Sequence, residues 1–244
     1  MNLGARFNAS RHIGFVVTVL VTLLFATLPQ AKAATITINS SSAVTFLDSG
    51  SSTADFSAPF TTANFTSAQT GTAASVLAST PFYVSSLVDG PGAVWIGTNS
   101  TAGTGTGDTA LYAVSFNLAS APSTASFNLY YAIDNLLGES NAGIYINGTA
   151  LPSSTGLVCS FCLTSFDQEN QYTDANIASL LVSGTNWLYF DAVNQGAEAG
   201  LIFSANITTG TAGAIPEPSS LLLLGTGLLG VGITAFRRRT TTTR

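Results

Sequence analysis

The sequence predicts an all-β sandwich ectodomain, flanked by an N-terminal signal helix and a C-terminal single membrane helix. Three observations carry that reading. Uncharged apolar runs bracket the chain near both ends. Between them, short runs rich in β-branched and aromatic residues alternate with stretches of Gly, Asn, Ser and Thr, a composition that favours strands and turns over helices. Finally, every Lys and Arg lies in the end segments.

Residues 1–33 have the order of a secretory leader. Arg6 and Arg11 precede an uncharged apolar run from Ile13 to Leu28, and Ala31-Lys32-Ala33 supplies small residues at Ala31 and Ala33 for cleavage. Signal peptidase would cut there, leaving a mature chain from Ala34.

The other end is organised around the apolar run Leu221–Phe236. A helix over 221–236 would rise about 24 Å, slightly under the roughly 30 Å of a bilayer core. Including Ser219 and Ser220 and thinning the bilayer locally closes that gap. Arg237, Arg238 and Arg239 follow directly, and three such charges resist translocation, so residues 240–244 form a cytoplasmic tail. Ahead of the helix, Pro216-Glu217-Pro218 is held extended by its two fixed φ angles. An extended polar segment at the outer membrane surface suits a protease. Pro216-Glu217-Pro218-Ser219, a Gly-containing apolar helix and a terminal Arg cluster, together 215–239, resemble the PEP-CTERM sorting signal of Gram-negative bacteria. That resemblance implies recognition by an exosortase, transient anchoring in the inner membrane, and transfer to the cell surface or extracellular matrix, in association with exopolysaccharide and biofilm.

With both ends set aside, residues 34–214 contain no Lys, Arg or His, yet keep every acid except Glu217. Nucleic-acid binding lacks the cations that displace phosphate counterions. Catalysis by Ser-His-Asp or Cys-His lacks its histidine. Zinc sites containing histidine are excluded as well. Carboxylate chemistry, calcium coordination and recognition by aromatic rings and amides remain.

Strands are read at Thr35–Ile38, Ala43–Phe46, Ala93–Ile96, Ala110–Phe116, Ala125–Ile133 and Ile144–Ile146, the last ending at an Asn147-Gly148 turn. Trp187–Val193 and Gly200–Ile207 are expected to form a hairpin across a turn at 194–198, and residues 174–182 to hold a helical turn. Phe56, Phe60 and Phe65 are spaced as anchors of a loop-rich region. Many short strands argue a sandwich over an α/β fold. The run Tyr131–Asn135, Ile144–Gly148, Leu180–Leu188, Asn194 and Gly200-Leu201 is similar to galactose-binding-like jelly-roll modules. That resemblance implies a jelly-roll-like β-sandwich over 34–214.

Among candidate sites, Cys159 and Cys162 form a C-x-x-C. In an exported chain a local disulfide is the first reading, ahead of a redox pair or zinc. Asp167, Glu169 and Asp174 are the densest oxygen-ligand group, which calcium would use, although a solvated acidic loop accounts for them too. Asp134 and Glu139 are a second carboxylate pair, the kind a glycosidase uses. Trp95, Trp187 and tyrosines 130, 131, 145 and 189 could stack on sugar rings, but within strands such residues more often pack in a core. The expectation is therefore an exported, non-catalytic surface protein without a required cofactor, with a carboxylate-dependent glycan hydrolase and a ligand-free coat protein as alternatives.

Overall fold

The structure, a computed structural model, describes residues 33–78, 83–157 and 166–210. Ala33 is exposed, immediately ahead of the first strand. Ala31 and the rest of the leader, the Cys159–Cys162 pair, the sorting residues Pro216–Ser219, the apolar run 221–236 and Arg237–Arg239 lie outside the described residues. Among the described residues no helix is long and apolar enough to cross a membrane.

Among the described residues, thirteen strands and one α-helix follow in chain order: β1 (Ala34–Asn39), β2 (Thr45–Asp48), α1 (Thr62–Gln69), β3 (Thr72–Ala73), β4 (Ser75–Val76), β5 (Ile96–Gly97), β6 (Ala110–Leu118), β7 (Thr124–Asp134), β8 (Leu136–Leu137), β9 (Ile144–Ile146), β10 (Thr149–Ala150), β11 (Asn170–Asp174), β12 (Gly184–Val193) and β13 (Gly200–Gly210). A 3₁₀ turn, Ala178–Leu180, lies within the expected helical-turn segment. The first sheet runs β11-β7-β13-β5-β4, with β1 also on β13; the second runs β10-β9-β12-β6-β2-β3, with β8 on β12. The long strands alternate between sheets: β6, β9 and β12 in one, β7, β11 and β13 in the other. This is the sandwich that the alternating runs imply.

Alternation builds its interior. Leu188, Phe190 and Ala192 of β12 point toward Phe127, Leu129 and Ile133 of β7 and toward Leu201, Phe203 and Ala205 of β13. Phe190 and Phe203 meet across the layers with ring centroids 4.3 Å apart. Full burial of each such ring contributes about 1.5–3 kcal/mol.

The outer faces are covered too. Residues 49–70 lie over the second sheet, where Phe56, Phe60 and Phe65 pack on Leu111, Ala113, Tyr145 and Tyr189. Residues 77–102 supply Leu77, Leu87, Trp95 and Ala102 to the outer face of the first sheet.

Three sequence expectations are corrected. Trp187–Val193 and Gly200–Ile207 do not form a hairpin: β12 pairs with β6, and β13 with β7. The link between them crosses from sheet to sheet and is stapled by buried Asn194, whose Nδ2 donates to Gly107 O at 2.8 Å and whose N–H donates to Thr109 Oγ1. Phe65 lies on a helix rather than in loop or sheet. That helix starts with a capping box in which Thr61 accepts from the Asn64 N–H and Asn64 accepts from the Thr61 N–H. The expected strand at 93–96 shrinks to Ile96–Gly97, because Val94 N–H is spent on Ser40 O.

Candidate functional site

Period-two alternation puts Trp187, Tyr189 and Asp191 of β12 on the outer face of the second sheet, opposite the core residues Leu188 and Phe190. Tyr189 is buried there beneath Phe65, ring centroids 4.8 Å apart. Trp187 stacks beside Tyr189 at 6.4 Å and stays half-buried. Helix α1 and the β9–β10 turn rise on either side. Asn147 (φ 51°) and Gly148 (φ 81°) make that turn, as the Asn-Gly pair implies.

The result is a cavity of about 280 Å³ lined by Phe60, Thr62, Phe65, Thr66, Gln69, Asn147, Gly148 and Tyr189. No charged side chain lines it. Its walls are aromatic faces and its rim is hydroxyls and amides. Gln69 Nε2 donates to the Tyr189 hydroxyl, fixing both. Asn147 is committed to scaffold: its Nδ2 donates to Leu180 O and Asn186 Oδ1, and its Oδ1 accepts from the Trp187 N–H at 2.8 Å. Such a lining can offer ring faces to carbon-bound hydrogens and rim hydroxyls and amides for hydrogen bonds.

The other expected aromatics are structural. Trp95, Tyr131 and Tyr145 are buried, and Trp95 Nε1 donates to Val84 O at 2.7 Å. Tyr130 is half-buried on the outer face of the first sheet.

The carboxylates fall into separate places. Asp134, at the end of β7, accepts from the Tyr83 hydroxyl and from Asn135 Nδ2, each at 2.8 Å. Burial pushes its carboxyl up to about 6, the Tyr83 bond opposes that shift, and Glu198 adds to it. Glu139 is exposed and accepts from Gln195 Nε2 at 3.2 Å. Glu169 accepts from the N–H groups of Val88 and Asp89, tying β11's approach to the covering loop. Asp167 is exposed, while Asp174 accepts from the Asn176 N–H as a local turn. Among the described residues no group of three or more His, Cys, Asp or Glu side chains is placed to hold a metal ion, so Asp167, Glu169 and Asp174 are not brought together.

Sequence reasoning passed over Asp191. It is fully buried, and neither carboxylate oxygen has a hydrogen-bond partner. The one signal was an acid inside the otherwise apolar strand Trp187–Val193.

Residues 214–239 match the PEP-CTERM protein-sorting motif. That motif marks the chain as an exported protein sorted by an exosortase. No curated protein matches the chain. Among solved structures the chain is similar to a family 35 carbohydrate binding module from Clostridium thermocellum, at 13% identity over 70% of this chain and 97% of that one, TM-score 0.36. It is also similar to a CBM35 from Paenibacillus barcinonensis, at 17% identity over 72% and 98%, TM-score 0.34. A third is an exo-beta-1,3-galactanase from Phanerochaete chrysosporium, at 19% identity over 57% of this chain and 31% of that one, TM-score 0.24.

Proposed function

We propose that this exported, exosortase-sorted chain is a non-catalytic surface module that holds neutral glycan, of the exopolysaccharide class, in the pocket between α1 and the β9–β10 turn. The observation that carries the reading is the lining of that pocket: three aromatic rings, neutral amides and hydroxyls, and no charge. At about 280 Å³ it lies just under the usual range of ligand sites, roughly 300–1,000 Å³, and takes a single ring. The half-buried Trp187 extends the apolar wall beside it. Low affinity per site suits a surface protein that meets a repeating polymer many times over.

The chemistry of the carboxylates supports a binding role over hydrolysis. Asp134, Glu139 and Glu169 accept hydrogen bonds from Tyr83 and Asn135, from Gln195, and from backbone amides respectively, and no acid lines the pocket. In this reading the leader is removed by signal peptidase, and the helix at 221–236 anchors the chain in the inner membrane until sorting delivers it to the surface.

A glycan array probed with the wild type, Phe60→Ala and Trp187→Ala tests the pocket. Neutral glycans should be retained by the wild type and lost at least tenfold in both variants. Retention unchanged in both, or none by the wild type, removes the binding reading and leaves a coat protein.

A further inference from the structure

Asp191 is a buried acid whose side chain the sandwich does not satisfy. Its backbone is fully used: the N–H donates to Gly143 O at 3.0 Å and the carbonyl accepts from Gly138 N–H at 2.8 Å. Its side chain is fully buried, and both carboxylate oxygens lack a hydrogen-bond donor. The group that bears on it from the covering segment is another acid, Asp55, whose negative charge acts on the Asp191 carboxyl. Asp55 is itself held in place, its Oδ1 accepting from Phe56 N–H and its Oδ2 from Ser140 N–H at 2.7 Å. Glu139 adds a third negative field.

Two carboxylates cannot bond to each other without something positive between them. No Lys, Arg or His exists between residues 34 and 214 to provide it. An uncompensated buried carboxylate is strongly unfavourable. A shared proton would serve one oxygen of Asp191 and leave the other bare. A divalent cation that prefers oxygen engages both and cancels the charge of the pair.

We propose that Asp55 and Asp191 hold a divalent cation of the calcium class, which clamps the 49–61 segment onto β12. With two carboxylates and no third acid in position, the shell is completed by neutral oxygens. The Tyr145 hydroxyl is a protein candidate: it packs in the same cluster over the second sheet, accepts from Ala142 N–H, and feels the charge of both acids. Such a sparse donor set belongs with the weak sites of extracellular modules, with Kd about 10⁻⁴–10⁻³ M. The clamp is separate from the acidic loop at 167–174.

The full-length chain, stripped with EDTA and titrated with calcium chloride at neutral pH, tests the clamp. Tm should rise saturably by several degrees. Terbium should luminesce through the neighbouring aromatic rings and be displaced by calcium. Asp55→Asn and Asp191→Asn should abolish both signals, while Asp174→Asn keeps them. Asp191→Asn should also melt above the cation-free wild type, because its amide carries no charge. A calcium response that survives both clamp variants overturns the proposal. So does a wild type with neither a Tm shift nor a terbium signal.

Discussion

The Tyr83 hydroxyl donates a 2.8 Å hydrogen bond to Asp134 Oδ2, joining the segment over the first sheet to the last residue of β7. Tyr83 also packs on Trp95 at 4.4 Å and on Phe166 at 5.3 Å. Burial, and then Asp134, push its phenol far up, so it remains a donor. Tyr83→Phe keeps the ring and deletes the bond. We expect a loss of about 1.5–3 kcal/mol in urea unfolding, the usual worth of a hydrogen bond to a charged group. The Asp134 carboxyl should titrate above about 6 in the variant, because the bond that lowers it is gone. Carboxyl NMR reads that directly.

Acidification should stabilise the cation-free protein through two groups. Asp134 and Asp191 both have folded pKa values above their ordinary 3.8, chiefly through burial. The folded state therefore binds their protons more tightly than the unfolded state. Their contribution is complete below about 3.8 and is lost as pH rises, through about 6 for Asp134. Thermal melts of wild type and Asp134→Asn in EDTA, from about pH 4 to about pH 7, should converge at the acid end. They should diverge at the neutral end, with the wild type falling more steeply. Parallel curves would refute this.

Helix α1 should depend on one ring more than on its own propensity. Phe65 is buried against Tyr145 and Tyr189, and Phe65→Ala leaves a cavity costing about 3–5 kcal/mol. Thr61→Ala removes only the cap, about 0.5–2 kcal/mol. Denaturant midpoints of the two variants give the order; a larger loss from Thr61→Ala would contradict it.

Gly71, in the link from α1 to β3, faces the backbone of β2. A Cβ there would fall 1.9 Å from Phe46 O, and a main-chain atom cannot swing aside. Gly71→Ala should therefore cost at least about 1–3 kcal/mol, as overpacking does, and loosen the 49–70 segment in hydrogen exchange.

The legible parts of the fold were the strands whose faces differ. β6, β7, β12 and β13 alternate between buried core positions and other surroundings, and the Asn147-Gly148 turn marks itself. Connectivity was harder to read. The 194–199 link has the composition of a hairpin turn, and nothing local shows that Asn194 anchors it to Gly107 and Thr109. Helix α1 escaped because its capping box uses Asn64 where Glu or Gln is the usual sign, and because it buries only Phe65 and Ala68. Of the proposed pocket and its flank, Tyr189 and Trp187 were readable as aromatics. Their pairing with Phe60, Phe65 and Gln69 depends on a covering segment more than a hundred residues away in sequence, as the 120-residue separation of Gln69 and Tyr189 illustrates. Asp191 was invisible as a site because one acid in an apolar strand reads as an outward-facing position.

Strand β13 is flanked on both sides, by β7 from Gly200 to Gly210 and by β1 from Ser204 to Thr209. The segment leading to the sorting tail continues from this strand. A pull applied at Gly210 along the strand axis would load two ladders at once in shear. Bonds loaded in that direction must give way together rather than unzip one by one. Force entering the sandwich at this end of β13 would therefore be shared between both neighbouring strands.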